Sequence, residues 1–268
     1  MAEKTNLSNL PGIIYSCYHE KNWSGEHFIE EHGLAYMIEG TLTMSDRNRI
    51  NVFGKGDIIF YRKNYLAKFL KQPSEGGEFR AITIILDEEM LRNFSRQYAY
   101  ENVKPSAPGD AVTRLQPNDL LQHYFDSLTP YFETLIPEQL ITLKKQEAIM
   151  LLLKENPQIA NILFDFSTPG KIDLEAFMNR NFKFNVEMKR LAYLTGRSLA
   201  TFKRDFEKIF QTSPSRWLQQ RRLQEAYYLI KEKSMKPSDV YLEVGFESLS
   251  HFSYSFKQQF GQNPSAIT

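Results

Sequence analysis

The residues of this chain best suited to chemistry are hydroxyls and cations gathered in two C-terminal stretches, and the chemistry they suit is recognition of a polyanion. Ser198, Ala200, Thr201, Lys203, Arg204 and Lys208 lie in the first stretch, and Ser248, Leu249, Ser250, His251, Tyr254 and Lys257 in the second. Arg and Lys address guanine O6 and N7 or phosphate oxygens, while Ser, Tyr and His address base edges or backbone oxygens. Residues 171–268 hold 16 Lys/Arg against 10 Asp/Glu, whereas residues 1–170 hold 17 against 22. The basic end of the chain is therefore also the end that carries these groups, and a polyanionic partner belongs there.

The two stretches are copies of one another. Ser198-Leu199-x-x-Phe202-x-x-x-Phe206-x-x-x-Phe210-x-x-x-Pro214-Ser215 recurs as Ser248-Leu249-x-x-Phe252-x-x-x-Phe256-x-x-x-Phe260-x-x-x-Pro264-Ser265, with every offset kept at 50 residues. Phe at every fourth position makes one apolar helix face. The serine precedes it as an N-cap whose hydroxyl accepts from the first free amides, and the proline stops it. Gly261 supplies a C-cap in the second copy. With the Phe rings turned inward, the polar groups named above occupy the outer face, together with Ser253.

A shorter helix precedes each copy. One runs from Glu187 to Leu194 and turns at Thr195-Gly196-Arg197, and the other from Pro237 to Val244, turning at Gly245-Phe246-Glu247. Two helices joined by a short turn containing Gly form a helix-turn-helix, whose second helix enters the major groove of duplex DNA. Between the motifs, Ser215 to Lys233 reads as one helix, with Leu223, Ala226, Tyr227 and Ile230 at helical spacing and Arg216, Arg221 and Arg222 available to phosphates. At about 1.5 Å per residue it spans roughly 27 Å, near the ~34 Å between successive major-groove faces. One chain is thus expected to reach two adjacent grooves.

The run Val244-Gly245-Phe246-Glu247-Ser248-Leu249-Ser250-His251-Phe252-Ser253-Tyr254-Ser255-Phe256-Lys257, followed by Phe260-Gly261-Gln262-Asn263-Pro264-Ser265, resembles the C-terminal signature of AraC/XylS-type regulators. Leu191-Ala192 through Trp217, with Arg222-Leu223 and Ala226, resembles their first motif. The resemblance implies a regulator of transcription, expected as an activator, with double-stranded DNA and RNA polymerase as partners. It also implies that Ala200, Lys203 and Arg204, with Leu249, Ser250 and Tyr254, face the bases. Tyr241 departs from the pattern where the family usually has Ala, and Ala200 and Leu249 are apolar where polar readers are common.

Farther upstream, β-branched and aromatic runs alternate with Gly and Asp turns, which predicts strands at Ile13–Tyr18, Leu34–Glu39, Thr41–Ser45, Asp57–Tyr61, Ala67–Leu70 and Arg80–Leu86. Asp46-Arg47-Asn48 is among the turns. Helices are predicted at Glu88–Tyr98, Asn118–Thr134 and Glu138–Lys154, the second from the stripe Leu121, Tyr124, Phe125 and Leu128. In the third, Ile141, Lys144, Lys145 and Ala148 make a poor stripe, and Leu140, Leu143, Glu147 and Leu151 offer the packed seam. The fold class is α+β. An antiparallel β-barrel with a helical tail, which the family resemblance makes cupin-like, is expected over residues 1–166. An all-α domain with two helix-turn-helix motifs joined by a linker helix is expected over residues 171–268, after the linker Ser167-Thr168-Pro169-Gly170.

A metal-dependent cupin enzyme is the competing class, with Glu26, His27, Glu30, Glu31, His32 and Glu39 as its ligands. His27 and His32 are five apart, however, which on a strand sends the rings to opposite faces. No nucleophile elbow, phosphate-cradling Gly loop or paired CxxC occurs, so no catalytic residue, metal or cofactor is expected. Cys17 stands alone, which rules out an intrachain disulfide and suits a reducing cytoplasm. Residues Met1 to Asn6 show no secretory signal, and no apolar run approaches the ~18 residues of a membrane span. The N-terminal domain is expected to sense a small molecule, with Tyr36, Ile38, Phe60, Phe69 and Ile84 as pocket-lining positions. A regulatory protein is the alternative, because the long helical tail resembles the subgroup known from secretion-system control whose N-terminal domains bind proteins. A homodimer is expected through the barrel or the helices from Asn118 to Lys154.

Overall fold

The computed structural model describes residues 5–6, 10–23, 27–46, 49–100, 109–116 and 119–267. It divides into two compact units, one of Met1–Ser24 with Ile29–Ser167 and one of Gly25–Phe28 with Thr168–Thr268. The strands in chain order are β1 (Thr5–Asn6), β2 (Ile13–Tyr18), β3 (Asn22–Trp23), β4 (Phe28–Ile29), β5 (His32–Glu39), β6 (Thr41–Ser45), β7 (Ile50–Phe53), β8 (Ile58–Tyr61), β9 (Tyr65–Leu66), β10 (Lys68–Gln72), β11 (Phe79–Leu86) and β12 (Val112–Arg114).

Two antiparallel sheets dominate the first unit, one ordered β1-β2-β11-β5-β8-β12 and the other β3-β10-β6-β7. The central strands of the larger sheet bury both faces, so period two shows as two cores. Phe79, Ala81, Met37 and Ile59 join one cluster with Leu42, Met44 and Phe53 of the smaller sheet. Ile82, Ile84, Leu34, Ile58 and Phe60, one residue out of phase, join the helices in the other. Tyr36 and Ile38 pack against that second cluster, whereas Phe69 packs against the first. The five positions read as pocket-lining are therefore divided between two cores on opposite faces of the sheet.

All six predicted strands are present close to their expected bounds. Six others, β1, β3, β4, β7, β9 and β12, were not expected, and four of them are only two residues long. β7 is an edge strand whose Ile50 and Val52 are 73% and 53% exposed, so its residues do not follow the apolar-inside rule. β12 pairs with β8 through Val112↔Tyr61, a contact across about fifty residues of chain that no local pattern encodes. Of the turn expected at Asp46-Arg47-Asn48, Arg47 and Asn48 lie outside the described residues. Asp46 donates its amide to the carbonyl of Arg49 at 3.1 Å, closing the β6–β7 connection.

The helical tail consists of α1 (Glu88–Gln97), α2 (Asp119–Asp126), α3 (Glu138–Glu155) and α4 (Ala160–Leu163). Asn118, the expected start of α2, lies outside the described residues. The helix expected to reach Thr134 ends at Asp126 and yields to a 3-10 turn at Thr129–Phe132, because Pro130 has no N–H to continue it. In α3 the seam differs from expectation: Ile141, Lys145, Ala148, Ile149, Leu152 and Leu153 are buried, while Leu140 and Leu143 are 39% and 58% exposed. Lys145 takes a core position because its aliphatic stem packs while its Nζ meets Asp87 Oδ2 at 2.7 Å. Among the described residues, no helix is long and apolar enough to cross a membrane.

His32 lies at the start of β5, 1% exposed, with its ring stacked on Phe60 at 5.7 Å. Its Nδ1 accepts from the Lys63 amide at 3.2 Å, which leaves the proton on Nε2, an atom without a partner among the described residues. Burial, aided by the nearby Lys63 charge, pushes its pKa from 6.5 down to about 3. Below pH 6.5 the unfolded chain takes up a proton that the folded chain refuses, so stability falls by about 1.4 kcal/mol per pH unit as pH drops from 6.5 towards 3. Unfolding titrations of wild type and His32→Phe should show the variant losing that slope. Parallel pH profiles for the two would assign the acid sensitivity elsewhere.

Candidate nucleic-acid interface

The second unit contains α5 (Leu174–Asn181), α6 (Met188–Leu194), α7 (Leu199–Phe210), α8 (Pro214–Lys233), α9 (Pro237–Glu243) and α10 (Leu249–Phe260). α6–α7 and α9–α10 are the two expected helix pairs. Ser198 caps α7 by accepting from the Thr201 amide, and Ser248 caps α10 by accepting from the His251 amide. Gly261 at φ 76° ends α10; Gln211, at the matching position of the first copy, takes the same left-handed conformation at φ 55°. α5 was not anticipated, although Asp173 followed by Leu174, Phe177 and Met178 carries the signal. Asp173 accepts from the Ala176 amide, and those three apolar residues are buried.

Both turns require glycine. Gly196 has φ +66°, and a Cβ there would stand 2.4 Å from Gly170 C; Gly245 has φ +92°, and a Cβ would stand 2.5 Å from the Lys183 carbonyl oxygen. No L-residue with a side chain sits comfortably in either place. In the first turn the buried Thr195 donates its hydroxyl back to the Leu191 and Ala192 carbonyls. Arg197 donates to Asp205 Oδ2 at 3.1 Å and to the carbonyls of Thr195 and Ile172. That hydrogen bond from Arg197 holds the Asp205 carboxyl below its ordinary range.

The Phe stripes are the inward faces. Phe202, Phe206, Phe252 and Phe256 are all fully buried. Phe206 and Phe210 stack at 4.3 Å and meet Trp217 of α8 at 5.7 and 4.7 Å. Phe256 and Phe260 pack at a tilt with centroids 4.6 Å apart and meet Tyr227 of α8 at 6.3 and 4.9 Å. α8 therefore carries one aromatic anchor for each motif. Its 20 residues span about 30 Å at the usual helical rise.

What remains outside is the predicted recognition set. Ser198, Ala200, Lys203, Arg204, Lys208, Ser248, Leu249, Ser250, His251, Tyr254 and Lys257 are exposed, and Thr201 is half-buried against the Ser198 hydroxyl. Arg204 Nη2 lies 3.7 Å from Asp205 Oδ1, a solvent-facing pair that costs little to break. Arg221 is more committed: it lies over the Phe182 ring at 4.6 Å and 3.9 Å from Glu225. Arg222 does not stand open to phosphates as the sequence suggested. Its guanidinium donates to the carbonyls of Phe182, Phe184 and Gly245 at 2.7, 2.9 and 2.9 Å, and burial pushes its pKa down to about 10, leaving it charged at neutral pH.

Among the described residues, those weighed as metal ligands do not form a group. Glu26 lies outside the described residues, His32 is buried with its Nδ1 taken by the Lys63 amide, and Glu39 takes Arg80 at 2.6 Å and the Ser74 hydroxyl. A different trio, Cys17, His19 and Glu78, brings its ligand atoms within 4.8 Å of one another. Its carboxylate already serves the Cys17 thiol at 3.5 Å, His19 at 3.3 Å and Arg80 at 3.7 Å.

Residues 191–268 match a helix-turn-helix domain model, and residues 32–162 match the ExsA N-terminal regulatory domain. Over 242 residues the chain is 25% identical to the HTH-type transcriptional regulator ExsA of Pseudomonas aeruginosa, covering 88% of this chain and 85% of that protein. It is 24% identical over 241 residues to the virulence regulon transcriptional activator VirF of Yersinia enterocolitica, covering 87% of each. These matches support membership of the AraC/XylS family of transcription regulators. As a member it is a DNA-binding regulator with an N-terminal regulatory domain, in a non-enzymatic class. Among solved structures, apo ToxT K231A from Vibrio cholerae aligns over 95% of this chain and 96% of its own, at 12% identity and a TM-score of 0.46.

Proposed function

We propose that this AraC/XylS-type regulator lays α7 and α10 into successive major grooves, with Lys203 and Arg204 and then Ser250 and Tyr254 against the bases. Lys208, Lys257 and Arg221 take phosphates. What carries the reading is the pair of capped helices, each burying its Phe stripe and leaving the polar set outward. Arg204→Ala should weaken specific binding by about 1–3 kcal/mol if the guanidinium reads a base. If it meets only phosphate, affinity falls on all sequences alike and the salt slope drops by about one unit. Unchanged affinity would remove Arg204 from the interface.

The remaining assignments extend this reading. Residues 1–166 serve as the regulatory and dimerisation domain, and residues 171–268 as the DNA-binding domain. The protein acts in the cytoplasm as an activator and engages RNA polymerase. A small-molecule signal is the first reading for the N-terminal domain and a protein signal the second; the packing of Tyr36, Ile38, Phe60 and Ile84 in one core and of Phe69 in the other argues against a single pocket lined by all five. Calorimetric titration of the full chain with metabolites and with candidate proteins separates the two. The exposed Leu140, Leu143 and Met150 of α3 support a homodimer through that helix, which sedimentation of the full chain would detect.

A further inference from the structure

We infer that the two motifs read different bases: the first reads guanine through Lys203 and Arg204, and the second reads the 5-methyl group of thymine through Leu249 and Tyr254. The inference rests on the DNA-reading assignment above and assigns each half of the target its chemistry.

The internal repeat makes the comparison position by position. Leu199 corresponds to Leu249, Ala200 to Ser250, Lys203 to Ser253 and Arg204 to Tyr254, each pair 50 residues apart. The helices that carry them have equal length and equivalent caps, 12 residues each after a capping serine. The same four places on two like scaffolds therefore present a cationic patch in one copy and an uncharged patch in the other. A single exposed apolar side chain is ordinary. Here Leu249 is 41% exposed at the first position of the helix, the end that meets base edges. Tyr254, one and a half turns later, is 66% exposed, the most exposed large apolar side chain of the second unit among the described residues. Ser250 and Ser253 lie between them on the helix surface.

Each patch suits one kind of base edge. Guanine presents two acceptors, N7 and O6, in the major groove, and fixed cations are the strongest partners for them. Thymine alone presents a methyl group, beside the O4 acceptor. A leucine and a tyrosine ring supply apolar contact for the methyl, and the intervening serine hydroxyls donate to O4. A cation at those places would gain nothing from a methyl, and a serine would hold guanine weakly. Leu199 repeats the exposed leucine in the first copy at 40%, but Lys203 and Arg204 dominate its surroundings there.

The test uses the full chain and a duplex enriched from a randomised pool. Each thymine is replaced in turn by uracil, which removes only the methyl group, and each guanine by 7-deazaguanine, which removes N7. Uracil at one or two positions of a single half-site should weaken binding about fourfold each, and 7-deazaguanine should act in the other half. Leu249→Ala and Tyr254→Ser, both at exposed positions, should abolish the thymine-over-uracil preference while keeping the 7-deazaguanine effect; Arg204→Ala should do the reverse. An enriched duplex that tolerates uracil everywhere overturns the thymine reading and leaves the DNA-reading assignment standing. A uracil effect abolished by Leu199→Ala and untouched by Leu249→Ala overturns it too, by moving the methyl to the first motif. Failure to enrich any sequence removes the DNA-reading assignment itself, and this inference with it.

Discussion

Phe206→Ala and Phe256→Ala should each destabilise the C-terminal unit by about 3–5 kcal/mol, the usual cost of truncating a fully buried phenyl ring. Both rings are at 0% exposure, and each is the middle member of a row of packed rings that ends on an aromatic of α8. Removing Phe206 takes away the contacts that seat Phe210 and Trp217; removing Phe256 takes away those that seat Phe260 and Tyr227. The cavity cannot close easily, because the flanking rings are held by a helix that also serves the other motif. Thermal melts of the full chain followed by circular dichroism, with Trp217 emission as a local reporter, measure the effect. If both variants melt like wild type, the Phe stripes do not form the core of the motifs, and the outward face assigned to DNA is the wrong one.

Arg222→Ala should cost on the order of 3 kcal/mol or more, since it strips three backbone carbonyls of their donor in a buried place. The carbonyls belong to Phe182 and Phe184, after α5, and to Gly245, in the second turn. One guanidinium thus joins the segment before the first motif to the turn of the second. Arg222→Lys should recover only part of the loss, because a point-charge ammonium cannot reproduce the planar fork. Denaturant titration of the three proteins decides this. A lysine variant as stable as wild type would show that charge alone, and not the forked geometry, is what the site needs.

The case of Arg222 shows where sequence reading stops. Side chains that alternate with period two or recur every fourth residue announce their faces, so six of the strands between Ile13 and Leu86 and the two Phe helices were legible. A cation on a basic helix looks the same whether it faces phosphate or three carbonyls, because the carbonyls come from segments about 23 to 40 residues away. Lys145 was hidden for the same reason: its partner Asp87 lies 58 residues back. The register of β12 on β8 and the open edge of β7 are likewise tertiary facts without a local pattern. The recognition residues were the easiest part of the site to find, because the repeat states their spacing twice.

The central claim is that one chain places two helices in two successive grooves on one side of a duplex, and a hydroxyl-radical footprint of the full chain on an enriched duplex tests it most directly. The account predicts two protected patches on one face of the DNA, roughly 10 base pairs apart, with the patch at the first motif lost in Arg204→Ala and the patch at the second retained. A single patch, or protection running evenly around the duplex, would contradict it.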